Sequence, residues 1–100
     1  MAKEIIWTPR AEKTFEKIIN YLEKNWNEKE IEKFIELTNN IIQTISHQPE
    51  IFRHSKKIHI HEALITKHNI LIYRIKEHSI DLIAFWDTRQ NPKKKFKFLK

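Results

Sequence analysis

Apolar side chains near the start of the chain recur first at strand spacing and then at helix spacing. A short run from Lys3 to Trp7 predicts a strand that stops at Thr8 and Pro9. Thr8 can cap a helix whose first residue is Pro9, since the first helical turn leaves its N–H groups unbonded in any case. The apolar residues that follow lie on one stripe as far as Trp26, with lysine and glutamate on the other side. This pattern predicts an amphipathic helix.

A second helix is predicted directly after the first. Asn27 and Glu30 have the spacing of a capping box, with Asn in place of Ser or Thr. An apolar stripe continues from Ile31 to Ile45, and Pro49 lies just past its end. The two helices would form an antiparallel hairpin whose apolar face needs a sheet to cover it.

The second half of the chain changes to the pattern typical of strands. After a polar turn through residues 54–57, the run from Ile58 to Ile65 alternates between apolar and polar residues. Two further runs, rich in β-branched and aromatic residues, cover 69–76 and 80–87. Residues 77–79 join these two runs into a predicted β-hairpin.

The turn determines which side chains face each other in this hairpin. If His78 and Ser79 form the turn, Lys76 faces Asp81 and Arg74 faces Ile83.

The predicted order of elements is β-α-α-β-β-β, an α+β fold in which a two-helix hairpin packs on a small, mainly antiparallel sheet. At 100 residues the chain has the size of one domain, so we expect a single domain over residues 1–100. A basic tail begins at about Lys93. Core positions are expected for Trp7, Trp26 and Trp86.

Charge and composition narrow the classes of partner and of chemistry. The 19 Lys and Arg against 13 Asp and Glu give a net charge of +6 and a pI near 9.6, which favours an acidic partner such as nucleic acid. The absence of cysteine excludes disulfides, thiolate chemistry and sulfur-based metal sites. Glycine is also absent, so Asn, His or Ser must serve at tight turns. Without a signal-peptide core or a run of about 18 apolar residues, we expect a soluble, cytoplasmic protein that enters no membrane.

The end of the last predicted strand carries the strongest candidate site. Asp87 and Arg89 lie where the apolar run ends, and Lys93, Lys94 and Lys95 follow closely. Sites are commonly built from polar groups at the edge of a rigid sheet. We interpret Arg89 as functional and Asp87 as either a further contact or the ion-pair partner of Arg89. The lysines suit a nucleic-acid contact and also a solvated face.

Histidines offer a second candidate chemistry. His59 and His61 are two apart on one predicted strand face and could ligate a metal or act as a base. No third ligand stands at a convincing spacing, so we expect neither a metal nor another cofactor. Glu62 and His68 could form the acid–base pair of a metal-independent ribonuclease, but a solvent-exposed strand edge explains both residues as well.

Several short patterns occur in the order found in one superfamily of toxins. They are Trp7-Thr-Pro-x-Ala11, Pro49 with Phe52-Arg53, His61-x-x-Leu64, Leu71-Ile-Tyr-Arg74 and Ile83-x-x-Trp86-x-x-Arg89. Together they span nearly the whole chain, which resembles the RelE/ParE superfamily. The resemblance implies the toxin of a bacterial type II toxin–antitoxin system, with growth inhibition, plasmid stabilisation and a cognate antitoxin that holds the toxin inactive.

This superfamily contains two activities, one of them enzymatic. Toxins similar to RelE and YoeB cleave messenger RNA on the ribosome, using an arginine at the position that Ile70 occupies in this chain. An isoleucine cannot stabilise the charge that develops on a phosphate. Only Arg89 matches that constellation, and His68 or Glu62 would have to move the protons. Ribosome-dependent cleavage of messenger RNA is therefore the alternative function, and it would make the chain a metal-independent endoribonuclease.

The ParE branch of the superfamily matches better. Tyr73-Arg74 and the closing Asp87-Thr-Arg-Gln-Asn-Pro92 are similar to its patterns, and the mechanism they imply is binding that poisons DNA gyrase, without catalysis. The target contacts implied by this resemblance are Arg74, Asp87, Arg89, Lys93, Lys94 and Lys95. Arg74 could instead form an ion pair across the hairpin. A nucleic-acid-binding module without toxic activity is a third interpretation, based on charge.

The helix hairpin supplies the predicted antitoxin site. One short sheet cannot bury both apolar stripes, so we expect apolar area at the margin of the hairpin, on Phe15, Ile19, Phe34 and Thr38. A disordered antitoxin segment could cover that margin and direct its carboxylates at the lysine-rich end, folding as it binds.

Overall fold

A computed structural model of the chain describes residues 2–55 and 59–89. Its elements are β1 (Glu4–Trp7), α1 (Pro9–Asn25), α2 (Glu28–His47), β2 (Arg53–Ser55), β3 (Ile60–Thr66), β4 (Asn69–Ile75) and β5 (Ser79–Asp87). The predicted α+β fold is confirmed, with both helices between the first strand and a mainly antiparallel sheet. The predicted tail from Lys93 and the predicted strand start at Ile58 lie outside the described residues.

Both helices begin at the predicted caps. The Thr8 side chain accepts a hydrogen bond from the Ala11 N–H at 3.1 Å, and Pro9 is the first residue of α1. The Asn27 side chain accepts one from the Glu30 N–H at 3.2 Å. Each such cap contributes about 1 kcal/mol, and it also fixes where the helix starts. The Thr8 hydroxyl in addition donates to the Leu82 carbonyl at 2.7 Å, which ties the start of α1 to β5.

The strands lie in the order β1-β5-β4-β3-β2, with β1 parallel to β5 and every other pair antiparallel. The prediction of a polar turn through residues 54–57 is wrong at its start, because Arg53 to Ser55 form β2 and pair with β3. This edge strand is short and polar, so it has no apolar alternation to reveal it. His59 follows with φ of 50°, a left-handed conformation that is filled without glycine, as expected.

The predicted hairpin of β4 and β5 is confirmed, but its register differs from the predicted one by two residues. The Lys76 N–H donates to the Ser79 carbonyl at 2.8 Å, so Glu77 and His78 form the turn. Arg74 therefore faces Asp81 and not Ile83. A two-residue loop starting one position earlier accounts for the shift, since loop position fixes register.

Lys76 and Asp81, which the predicted register places opposite each other, form an ion pair in the observed register as well. Lys76 Nζ lies 2.8 Å from Asp81 Oδ2. The register shifts again further along, where Tyr73 pairs with Leu82 and Ile72 pairs with Ala84. The extra residue is Ile83, so this is a β-bulge, and bulges bend a strand and increase its twist.

The main core lies between the helices and the sheet. Its fully buried members include Ala11, Ile45, Leu71, Tyr73 and Leu82. Aromatic rings extend it toward the start of α1, where Phe15 lies 5.1 to 5.7 Å from the rings of Trp7, Phe34 and Phe85. This cluster attaches α1 to β5, the strand that ends at Asp87.

A second, smaller cluster involves residues that alternate with those of the main core. Ile60, Ile70, Ile72 and Trp86 form it, on the face of the sheet away from the helices. The expected core positions of the tryptophans are wrong for Trp26, which is 60% exposed. It is the C-terminal cap of α1, at the junction of the two helices. Of the helices in the described ranges, none combines the length and apolar character that crossing a membrane requires.

Candidate binding groove

A groove of about 1350 Å³ lies between the helix hairpin and the end of the sheet at which β5 finishes. Its walls come from α1, the first half of α2, the β3–β4 turn and residues 85–89. The cations that line it are Arg10, Lys13, Lys17, Lys33, Lys67 and Arg89. The carboxylates that line it are Glu12, Glu16, Glu30 and Asp87. Apolar side chains such as Leu22, Phe34 and Phe85 lie between these charges.

Arg89 and Asp87 form a bidentate ion pair at one wall of the groove. Arg89 Nε donates to Asp87 Oδ1 at 3.0 Å, and Arg89 Nη2 donates to Asp87 Oδ2 at 2.7 Å. The Arg89 backbone N–H donates to Asp87 Oδ1 at 2.8 Å as well. Three hydrogen bonds from one residue hold this carboxylate, so the predicted pairing of Asp87 with Arg89 is confirmed.

The ion pair shifts the proton affinity of both groups. The hydrogen bond from the Arg89 side chain is the main reason that the pKa of Asp87 is lowered, and His68 acts in the same direction. The hydrogen bond to Asp87 raises the pKa of Arg89, and the Tyr21 hydroxyl on α1 also raises it through a hydrogen bond and its charge. Arg89 at the end of β5 and Tyr21 on α1 both line the groove.

The β3–β4 turn supports the end of β5. The Thr88 N–H donates to the His68 carbonyl at 2.8 Å, and the Thr88 hydroxyl donates to the Lys67 carbonyl at 3.2 Å. Within the turn, the Thr66 hydroxyl accepts hydrogen bonds from the His68 N–H and the Asn69 side chain. These contacts extend the regular structure past Asp87, so the ion pair is held by the sheet and is not part of a loose loop.

Arg74 is not part of this groove. It pairs with Asp81, and β5 runs about 20 Å from there to Asp87 at roughly 3.4 Å per residue. It also lies on the face of the sheet away from the helices, because it alternates with Tyr73 and Ile75 in the main core. The structure therefore separates the predicted target contacts into two surfaces, and Lys93, Lys94 and Lys95 lie outside the described residues.

The candidate acid–base pair is not brought together. Glu62 lies on the sheet face away from the helices, whereas His68 lines the groove. About 13 Å of strand separates Glu62 from Thr66, where the turn that carries His68 begins. Ile70 is buried in the second cluster. These positions do not form a catalytic constellation with Arg89.

The two histidines considered as metal ligands do not share a strand face. His59 precedes β3 in a turn, and His61 lies on the helix side of β3, 8% exposed. The His61 ring stacks between His54, at 4.5 Å, and Tyr73, at 5.3 Å. Over residues 2–55 and 59–89, no three His, Asp or Glu side chains converge as a metal site.

The expected apolar margin of the helix hairpin is wrong for two of its four residues. Phe34 and Thr38 are 4% and 1% exposed, and the Thr38 hydroxyl donates to the Phe34 carbonyl. Phe15 and Ile19 are partly buried against the same core. The helices turn these side chains toward the sheet, so Thr38 is out of a partner's reach and Phe34 presents only a small area to the groove.

Sequence reasoning missed the side chains that α1 contributes to the groove. Lys13, Lys17 and Tyr21 all line it, together with the exposed Trp26. Their spacing of four residues places the first three on one face of the helix. That spacing was visible in the sequence, but a stripe of lysines on a helix is usually read as a solvated face.

Solved structures of toxins share this fold. The chromosomal ParDE system from P. aeruginosa matches with a TM-score of 0.71 and 12% identity, over 86% of this chain and 96% of that one. The YoeB dimer from Staphylococcus aureus matches with a TM-score of 0.60 and 14% identity, over 90% and 100%. The heterotetrameric YoeB–YefM complex from Staphylococcus aureus matches with a TM-score of 0.57 and 13% identity, over 90% of this chain and 100% of that one. No curated protein matches the chain by sequence.

Membership of a family follows from the sequence itself. Residues 5–92 match the family described as the ParE toxin of the type II toxin–antitoxin system parDE. This range contains every described element from the second residue of β1 to the end of β5. The resemblance to the RelE/ParE superfamily is therefore confirmed, and the chain belongs to the ParE toxin family of type II toxin–antitoxin systems.

Proposed function

We propose that this toxin stops bacterial growth by binding DNA gyrase in the cytoplasm and that a cognate antitoxin neutralises it. The observation that carries the proposal is the Arg89–Asp87 pair, held at the rigid end of β5 in a groove lined by six cations. Such a surface suits an acidic target, and a binding mechanism needs no catalytic residues. Gyrase is proposed as the target because the chain belongs to the ParE family.

Cleavage of messenger RNA receives less support from the same residues. A ribonuclease needs a cation at the developing phosphate charge and groups that move protons nearby. Arg89 could supply the first, but Glu62 lies on the sheet face away from the helices, His68 lies in the β3–β4 turn at the groove, and Ile70 is buried. We therefore propose inhibition by binding.

The antitoxin part of the proposal rests on the groove and on the ParDE and YoeB–YefM neighbours. Tyr21 and Trp26 are 48% and 60% exposed at the helix end of the groove. An antitoxin segment with apolar anchors for these rings and carboxylates for the cations would cover the groove. It would thereby compete with gyrase for Arg89.

The decisive experiment compares the two targets directly. Induced expression of the toxin should inhibit growth and activate a DNA-damage reporter, while bulk messenger RNA stays intact. Purified toxin should inhibit supercoiling by purified gyrase, and addition of the antitoxin should restore it. Rapid cleavage of messages in translating cells, with supercoiling unaffected, would refute the gyrase proposal and favour the ribonuclease.

A further inference from the structure

We propose that Asp87 is a positioning residue that directs the Arg89 guanidinium at a DNA phosphate entering the groove. This inference rests on the proposed function, because the DNA held by gyrase is the source of the phosphate. It assigns to Asp87 a role opposite to the one its charge suggests, since a carboxylate by itself repels DNA.

The geometry fixes which edge of the guanidinium faces outward. Arginine has five N–H donors in a rigid plane. Asp87 accepts hydrogen bonds from Nε and from one hydrogen of Nη2, and Tyr21 lines the α1 wall of the same groove. The Arg89 side chain is 56% exposed. Asp87 therefore holds the Nε and Nη2 edge of the guanidinium and leaves the opposite edge available to a phosphate.

The surrounding charges favour a strand of phosphates over a single carboxylate. Lys13 and Lys17 are one helical turn apart on the α1 wall, and Lys67 and Arg89 both line the sheet wall. An extended polyanion can contact such a row of cations at several points, and each contact releases counterions. The planar fork of Arg89 adds a bidentate contact that a lysine cannot make.

Positioning and simple electrostatics predict opposite effects for one substitution. Asp87→Asn removes a negative charge from the groove, so electrostatics alone predicts tighter binding of DNA. If Asp87 holds Arg89 in place, the same substitution releases the guanidinium and weakens binding. Whether Asp87→Asn weakens or tightens DNA binding therefore decides between positioning and simple electrostatics.

The test measures binding of a short DNA duplex to the purified toxin by fluorescence anisotropy at low salt, without gyrase. We expect Asp87→Asn to weaken binding about fivefold. Arg89→Lys keeps the charge and should weaken binding about tenfold. Glu16→Gln is the matched control, because it removes a carboxylate from the same groove and should tighten binding slightly. Thermal unfolding of each variant confirms that it is folded.

A second measurement reports the position of Arg89 itself. In arginine side-chain NMR spectra, the Arg89 Nε–H should be protected from exchange in the unaltered toxin and lose that protection in Asp87→Asn. Unchanged or tighter duplex binding by Asp87→Asn, a comparable loss in Glu16→Gln, or no binding by the unaltered toxin would each overturn the inference. Gyrase inhibition is assayed separately, so its failure would refute the proposed function without changing these results.

Discussion

The Thr14 hydroxyl on α1 accepts a hydrogen bond from the Phe85 backbone N–H on β5, at 2.9 Å. The same hydroxyl donates to the Arg10 carbonyl at 2.7 Å. A helix side chain thus satisfies a strand N–H just beyond the bulge at Ile83, where the ladder is interrupted. This contact fixes the distance between the two walls of the groove.

Thr14→Val should therefore destabilise the fold, because it leaves the Phe85 N–H without its acceptor while preserving the shape of the side chain. We expect a loss of about 1 to 3 kcal/mol in the free energy of unfolding, measured by urea denaturation. Thr44→Val is the matched control, since the Thr44 hydroxyl donates only within α2, to the Asn40 carbonyl. Equal stability of the two variants would show that the contact between helix and strand contributes nothing.

Arg89→Ala should abolish toxicity without a measurable change in the thermal midpoint. The guanidinium is more than half exposed, and exposed ion pairs contribute little to stability. Lys29→Ala is the control, because it removes the same charge from an exposed position of α2 outside the groove walls. Growth after induction, compared at equal protein levels, is the measurement. A large fall in the midpoint would show that Arg89 is structural, and full toxicity would remove it from the target contact.

The His61 ring predicts a dependence of stability on pH. Burial is the main reason that the pKa of His61 is lowered from 6.5; the nearby His54 lowers it further, and Glu50 acts in the opposite direction. Its Nδ1 atom is buried and has no hydrogen-bond partner in the described part of the chain. The unfolded chain therefore binds this proton more readily than the native protein.

The direction of the pH dependence follows from this difference in proton affinity between the unfolded and the native state. The contribution of neutral His61 is fully present above the unfolded pKa of 6.5 and is lost as pH falls below it, toward the lower pKa of the folded state. Unfolding free energies measured from about pH 8 to pH 5 should decline for the unaltered protein. His61→Phe keeps a ring between His54 and Tyr73 and should flatten the decline. An identical pH profile in the variant would assign the decline to other groups.

Trp26 should contribute to antitoxin affinity and little to stability. It is 60% exposed at the helix end of the groove, and Ile51, which is 59% exposed, lies outside the groove walls. Trp26→Ala should weaken binding of the cognate antitoxin about tenfold or more, as expected for an aromatic anchor. Ile51→Ala should leave that affinity unchanged. Calorimetry of the purified pair measures both and should give a strongly negative heat-capacity change in each case.

The features predictable from the sequence are those determined by neighbouring residues. The caps at Thr8 and Asn27 and the apolar stripes of the helices depend on spacings within a few residues, and all were found. The hairpin of β4 and β5 was found for the same reason. The pairing of Asp87 with Arg89 was also predictable, because two residues at a strand end cannot be far apart.

Features that depend on long-range pairing were missed or misplaced. β2 is recognisable only by its partner β3, since Arg53, His54 and Ser55 have no apolar pattern of their own. The hairpin register depends on which two residues form the turn, and Arg74 lies opposite Asp81 because the turn begins one residue earlier than predicted. The groove joins α1 to the end of β5, and no spacing in the sequence reveals that these two segments approach each other.

The position of β5 between β1 and β4 has a consequence for the order in which the molecule is made. Glu4 pairs with Ser79 and Trp7 with Leu82, so the first strand of the described chain acquires its partner only when the last has been synthesised. The helices can form earlier, because their contacts are local. Both walls of the groove are then present together only in a chain whose fifth strand has left the ribosome. A nascent chain therefore lacks the complete groove until β5 has been synthesised, and a partner that needs both walls cannot bind before that point.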